Sequence, residues 1–267
     1  MNTSAMVTPG GGPAADLVEY CQYLPWDSNH FGLRIGRVKS ARPEESSMAD
    51  ISRWASDQSI DCLYLLADPD PRTLRVVAGA GFRFVDVRAT LEFGLSEHPM
   101  QELAQEVRPA TTDDVPNLRR IAGESHRDSR FYADGNLPRA LCDELYRIWI
   151  ERSCVDPAFA SEVLVAERNS RAVGYVSYLL SSAEAEIGLV GIDRDFRGQG
   201  IGGQLLSETL RRIGAGGGRR VRVVTQGSNV PAQRLYQSLG FRTSSIGLWY
   251  HGWRGNGLAG DSRDVSI

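Results

Sequence analysis

The chain has 267 residues, 42% of them hydrophobic and 24% charged, with 30 Lys and Arg against 33 Asp and Glu. That usage excludes disorder as the main state, and the length suits one large domain or two modest ones with a core that needs no disulfide or metal staple. A net charge of −3 gives no bulk attraction for nucleic acid or a membrane surface, and no apolar run approaches the roughly 18 residues needed to span a bilayer.

In chain order, residues 1–14 are rich in Gly, Pro, Ser and Thr and read as a disordered tail. They lack the basic and apolar regions of a secretory leader, so a cytoplasmic protein is expected. A first module follows over 15–97, carrying Ala80-Gly81-Phe82-Arg83 and a strand-like Val85–Phe93. A polar, proline-containing stretch near 95–106 reads as a boundary. The second module, 105–253, opens with Thr111-Thr112-Asp113-Asp114 before Val115, Leu118, Ile121 and Ala122, a capped helix start. Leu137, Ala140, Leu141, Leu145, Ile148 and Trp149 then fall on one helical face. Two β-like runs, 162–168 and 172–181, flank Asn169-Ser170, a hairpin signal. A third run, 186–192, precedes Arg197-Gly198-Gln199-Gly200-Ile201-Gly202, after which Ile201, Leu205, Leu206, Leu210 and Ile213 trace an amphipathic helix. A Val-rich strand over 219–225, a short helix over 231–239 ended by Gly240, and a strand over 241–253 complete the module, and 254–267 reads as a second tail. The alternation indicates a mixed α/β sheet. Leu239-Gly240-Phe241-Arg242 followed by a strand echoes the 80–83 segment, which suggests a degenerate repeat.

Four scattered cysteines (Cys21, Cys62, Cys142, Cys154) and four histidines (His30, His98, His126, His251) show no metal-ligand spacing. They read as reduced packing residues and ordinary histidines, so no metal is expected.

The glycine loop carries the first chemical signal. It follows a strand and opens a helix, so glycines at 198, 200 and 202 let backbone N–H groups point outward at a helix start, where the dipole favours an anion such as a pyrophosphate. Arg197 adds charge for the same partner. The loop is no P-loop, because no Gly-Lys-Ser/Thr follows it.

Together, Val190 to Gly202 and, some thirty residues on, Asn229-Val230-Pro231-Ala232-Gln233-Arg234-Leu235-Tyr236-Gln237-Ser238-Leu239-Gly240-Phe241 resemble the two ordered motifs of the GNAT N-acetyltransferases. Trp26-Asp27-Ser28-Asn29-His30-Phe31-Gly32, Ser129-Arg130-Phe131 and Val224-Thr225-Gln226 are similar to segments of the members that acetylate nucleotide-linked amino sugars. The resemblance implies a mostly antiparallel sheet flanked by helices, with a truncated GNAT-like module before the complete one. It implies acetyl-CoA as co-substrate, a small-molecule amine as acceptor, no nucleic acid or membrane partner, and a homodimer as an allowed assembly. The donor would be held by Val190, Gly191, Ile192, Arg197, Gly198, Gln199, Gly200, Ile201, Gly202 and Asn229. Tyr236, with an ordinary pKa near ~10, would protonate the departing thiolate. Glu184 or Glu186 would take the ammonium proton, and Arg130 and Tyr132 would contact a diphosphate or sugar. Trp26, Asp27 and His30 are expected to serve packing. Other acceptors (an aminoglycoside-like molecule, a polyamine or a protein N-terminus) and a non-catalytic acyl-CoA-binding module stay open.

Overall fold

The computed structural model describes residues 20–95 and 107–255. The expected tails and boundary lie outside the described residues, apart from Leu95, Arg254 and Gly255. In chain order the elements are β1 (Cys21–Tyr23), α1 (Pro25–Phe31), β2 (Ile35–Val38), α2 (Glu45–Asp57), β3 (Cys62–Ala67), α3 (Pro71–Gly79), β4 (Arg83–Gly94), β5 (Val107–Pro109), α4 (Val115–Ser125), α5 (Arg130–Ala133), α6 (Arg139–Val155), β6 (Glu162–Arg168), β7 (Arg171–Ser181), β8 (Glu184–Ile192), α7 (Ile201–Ala215), β9 (Arg220–Gln226), α8 (Val230–Ser238) and β10 (Arg242–Trp253). The fold is mixed α/β, with mostly antiparallel strand pairing and flanking helices.

Two compact units divide the described chain, one built from 20–88, 133–138 and 246–255, the other from 89–95, 107–132 and 139–245. Residues 246–253, read from sequence within 105–253, cluster with the first unit. In that unit β2 runs parallel to β3, and the end of β10 pairs antiparallel with β3, Leu248 opposite Ala67 through Trp253 opposite Cys62. Helix α3 begins where Asp70 accepts hydrogen bonds from the N–H groups of Arg72 and Thr73, with Pro71 supplying a preset φ. Met48, Ile51, Trp54 and Ala55 of α2 form its buried stripe. The Trp54 indole lies 2.9 Å from where a Cβ on Gly36 would sit, so β2 needs glycine there.

The second unit orders its strands β4-β9-β8-β7-β6-β5, antiparallel from β8 to β5 and parallel between β8 and β9. Asn169 and Ser170 both take positive φ, 51° and 57°, as a two-residue type I′ turn requires. Ile201, Leu205, Leu206, Leu210 and Ile213 of α7 are all buried in the core with Ile187, Val221, Val223 and Phe241. At about 25 cal/mol per Å² of apolar surface, each fully buried side chain of this kind contributes roughly 1.5–3 kcal/mol. The two Gly-Phe segments share a local structure. Gly81 (φ 76°) and Gly240 (φ 99°) end α3 and α8, and Phe82 and Phe241 each donate back to the carbonyl five residues earlier, on Val77 and Tyr236. Each segment then enters a strand of 12 residues.

Candidate active site

The site forms where two parallel neighbours part. The β8–β9 register runs from Glu184 opposite Arg220 to Ile187 opposite Val223 and goes no further. A bulge explains the parting. Val190 faces Val176 and Ile187 faces Tyr178, so Gly188 and Leu189 together oppose Ser177. The extra residue bends β8 and increases its twist. The Leu189 N–H donates to the Ser177 hydroxyl at 2.9 Å, which satisfies one group the bulge would orphan. A Cβ on Gly188 would lie 2.9 Å from that same oxygen, so the position calls for glycine. Between Gly188, Val190 and Ile192 on one side and Val224–Gln226 on the other opens a cavity of about 690 Å³, within the usual range for small-molecule sites.

The glycine loop closes one end. Gly198 and Gly200 have φ of 76° and 78°, and a Cβ at either would meet nothing within 4 Å. Backbone conformation, not crowding, dictates these glycines, and the space beside them is open to a ligand. Helix α7 starts directly after, so its unsatisfied N–H groups face the cavity end with the positive pole of the helix. The Arg197 guanidinium donates through Nε to the Ile192 carbonyl at 3.2 Å, which ties the loop to the end of β8. Asp193, buried at the loop's start, pairs with Arg120 of α4. Burial pulls its carboxyl pKa up, but Arg120, the Asp195 N–H and Arg171 outweigh this and hold it below the ordinary range.

Helix α8 forms another wall. Its cap, Asn229, accepts from the Ala232 N–H at 3.1 Å, while the Gln233 amide donates to the carbonyls of Gln226 and Gly227. Tyr236 lines the cavity with its ring 5.7 Å from that of Phe241. Only 4% of the residue is exposed, and burial pushes its hydroxyl pKa well above the usual tyrosine value, so it stays protonated at neutral pH.

The remaining wall is the segment Glu124–Asp128 that leaves α4. His126 anchors it, with Nε2 3.2 Å from the Tyr175 hydroxyl and its ring stacked on Tyr146 at 4.6 Å. Burial, helped by the charge of Arg197, lowers the His126 pKa from 6.5 to about 4, leaving a neutral imidazole.

Most of the sequence-predicted donor-site residues gather at the cavity. Val190, Ile192, Arg197, Gly198, Gly200, Ile201, Gly202 and Asn229 all line it. Gln199 and Gly191 stand outside the lining. The Gln199 amide donates to the Asp195 carbonyl, and a Cβ on Gly191 would lie 2.6 Å from the Tyr175 ring, so that glycine makes room for an aromatic. Leu235 lies 2.9 Å from where a Cβ on Gly202 would sit, so Gly202 also lets α7 approach α8 closely. Glu184 is exposed, 3.7 Å from Arg220 on β9. Glu186 is half-buried, two residues before Gly188 and outside the lining. Arg130 is buried with its guanidinium 4.1 Å from the Phe131 ring centre, and the Tyr132 hydroxyl donates to Asp143 at 2.5 Å; neither lines the cavity. In the first unit Trp26 stacks on His30 at 5.0 Å, and Asp27 is buried.

A grouping in that unit escaped spacing arguments. Ligand atoms of Cys62, Asp134 and His251 lie within 4.8 Å of one another. His251 Nδ1 pairs directly with Asp134, and the Trp253 indole N–H donates to both carboxylate oxygens at 3.1 Å. These contacts occupy the Asp134 carboxylate with protein donors.

Residues 124–241 match the family model described as Acetyltransferase (GNAT) family. The chain is 28% identical over 232 residues to a dTDP-fucosamine acetyltransferase of Escherichia coli, covering 85% of this chain and 96% of that one. It is 28% identical over 150 residues to the spore coat polysaccharide biosynthesis protein SpsD of Bacillus subtilis, and 30% identical over 152 residues to a mycothiol acetyltransferase of Brachybacterium faecium. It spans about half the length of each of these two, 51% and 46%. Among solved structures, a conserved protein of unknown function from Staphylococcus epidermidis aligns with a TM-score of 0.66 at 16% identity, over 95% of this chain and 98% of that one. A GCN5-related N-acetyltransferase from Sphaerobacter thermophilus aligns at 0.60 and 16% identity, over 87% and 76%.

Proposed function

From the match of residues 124–241 to the GNAT acetyltransferase family model and the likeness to a dTDP-fucosamine acetyltransferase, we propose that this chain moves an acetyl group from acetyl-CoA to the amine of a nucleotide-linked amino sugar, by direct attack in a ternary complex. The observation that carries the proposal is the parting of β8 from β9 beyond Ile187 and Val223, with the glycine loop and the α7 N-terminus at the cavity it opens. The loop amides and Arg197 bind the donor's diphosphate, each charge-assisted hydrogen bond contributing roughly 1.5–3 kcal/mol. Backbone groups of Val190–Ile192, which no longer pair with β9, hold the pantetheine arm and polarise the thioester carbonyl. Asn229 keeps α8 in place and reaches the donor arm. The cavity aligns amine and carbonyl, and that positioning lowers the barrier most when the two atoms are held in near-attack geometry.

Attack by the neutral amine forms the C–N bond, collapse of the adduct breaks the C–S bond as the nitrogen gives up its surplus proton to solvent, and the thiolate leaves. Tyr236 supplies the proton that makes it a thiol. Its buried, protonated hydroxyl on the cavity wall suits that role. The amino-sugar acceptor class is supported by the E. coli relative, which is matched over nearly its whole length and is named for dTDP-fucosamine. The test is release of CoA thiol, followed with a thiol-trapping reagent, across dTDP-fucosamine, free amino sugars, a polyamine and an aminoglycoside. Turnover highest with dTDP-fucosamine or another amino-sugar nucleotide is expected. Equal or better turnover with the un-nucleotidylated amines would remove the nucleotide from the proposal, and CoA binding without turnover of any amine would leave a binding module.

A further inference from the structure

An amine that arrives as an ammonium ion must lose a proton before it attacks, so the site needs a base within reach of the thioester. Glu124 and Asp128 are the carboxylates that line the cavity among the described residues. The segment carrying them is fixed beside the reacting strand. Helix α4 packs on β7 and β8, the His126 ring nitrogen meets the Tyr175 hydroxyl at 3.2 Å, and Tyr175 is the cross-strand partner of Gly191. Asp128, two residues beyond His126, lines the same cavity as Val190 and Ile192. We propose, on the acetyltransferase reading above, that Asp128 is the group that takes the ammonium proton of the acceptor.

The neighbouring groups argue for this choice. Glu124 faces Arg120 at 3.5 Å on its own helix. His126 is neutral but a poor base, because burial holds its pKa near about 4. The Asp128 carboxyl shifts the other way. Desolvation by the surrounding protein raises it, although the residue is exposed, and this outweighs the lowering by its own backbone N–H and by Arg197. A carboxylate raised toward neutrality abstracts protons better than one at its ordinary value. Arg127, Arg197, His126 and Glu124 are the other titratable or charged groups on this wall and the loop beside it. When the donor's diphosphate engages Arg197, the lowering influence on Asp128 weakens, so its basicity rises with donor bound.

The balance is simple. The proton passes from the ammonium to the Asp128 carboxylate, the freed lone pair forms the C–N bond, and the C–S bond breaks with its electron pair leaving on sulfur, which Tyr236 protonates; the surplus proton on the new amide nitrogen passes to solvent, from which Tyr236 is reprotonated.

The test compares the full-length protein with Asp128→Asn and Asp128→Glu on two amines, dTDP-fucosamine and hydroxylamine, the second being already neutral at working pH. For Asp128→Asn we expect a loss of about 10²-fold in kcat with dTDP-fucosamine, with the acid limb of the pH–rate profile gone. Hydroxylamine transfer and acetyl-CoA affinity should stay within a few-fold of the parent, and Asp128→Glu should restore part of the rate. Equal losses on both amines would make Asp128 a structural residue and overturn the proposal. So would an unchanged dTDP-fucosamine profile, above all if Glu186→Gln removed the acid limb instead. A parent protein inert toward both amines would refute the acetyltransferase reading itself, a separate outcome from failure of Asp128 alone.

Discussion

Replacing Gly200 with Val probes the glycine loop most sharply. Gly200 sits at φ 78° immediately before α7, in the left-handed region that a β-branched residue enters only with strain. Such a residue costs about 1–3 kcal/mol in the free protein if the loop keeps its shape. Among the described residues no atom beyond the chain neighbours lies within 4 Å of the new Cβ, so the fold should survive with a melting temperature lowered by about 2–4 °C per kcal/mol. Binding suffers differently. If the loop relaxes to a negative φ, the outward amides turn away, and losing one charge-assisted hydrogen bond at roughly 1.5–3 kcal/mol weakens CoA about tenfold to 150-fold. If it does not relax, the isopropyl group fills the open space where the diphosphate would approach. Both routes predict a similar loss, measurable by titration calorimetry with CoA against a circular-dichroism melt. Unchanged CoA affinity in a well-folded Gly200→Val protein would refute the reasoning.

Tyr236→Phe keeps the ring beside Phe241 and removes only the hydroxyl proposed as the acid, so kcat should fall by ~10²-fold with little change in CoA affinity; a rate within twofold of the parent would retire Tyr236 as the acid. Glu184, exposed and facing Arg220 in the still-paired part of β8, should tolerate Glu184→Gln with turnover within twofold, checked by the same thiol assay. His126 is held neutral in the folded protein with a pKa near about 4, against 6.5 when unfolded, so the unfolded chain binds the proton first. Stability should therefore be full above about pH 6.5 and decline as pH falls toward 4, by up to about 3 kcal/mol, and urea melts of His126→Gln should show a flatter pH dependence over that window. Asp134→Ala leaves buried His251 and the Trp253 indole without their acceptor, and should lower unfolding free energy by about 3–5 kcal/mol in denaturant titrations.

Much of the second unit was legible because its signals are local. Apolar residues of α7 repeat at helical spacing, Asn169-Ser170 marks a two-residue turn, and positive-φ glycines announce the loop before the helix. What stayed hidden depends on contacts between residues distant in sequence. Gly191 looks like a ligand-facing glycine in the motif, yet it makes room for Tyr175 on the neighbouring strand. The bulge at Gly188-Leu189 is invisible without the register against Ser177. The 124–128 wall has no periodicity to mark it; a polar run leaving a helix reads as an ordinary loop until Tyr175 and Tyr146 are seen to hold His126 at the cavity. Cys62, Asp134 and His251 come from three separate stretches of chain, so no motif spacing could join them. The close of β10 with the first unit depends on its pairing with β3, which hydropathy alone does not encode.

The central claim is that the parted strands and the glycine loop receive the acetyl donor, and hydrogen exchange of the intact protein with and without acetyl-CoA tests it most directly. Slowed exchange concentrated in the amides of Gly198–Gly203 at the helix start and of Val190–Ile192, where β8 no longer pairs with β9, is the predicted result. Protection by acetyl-CoA that spared both segments and appeared elsewhere in the chain would contradict it.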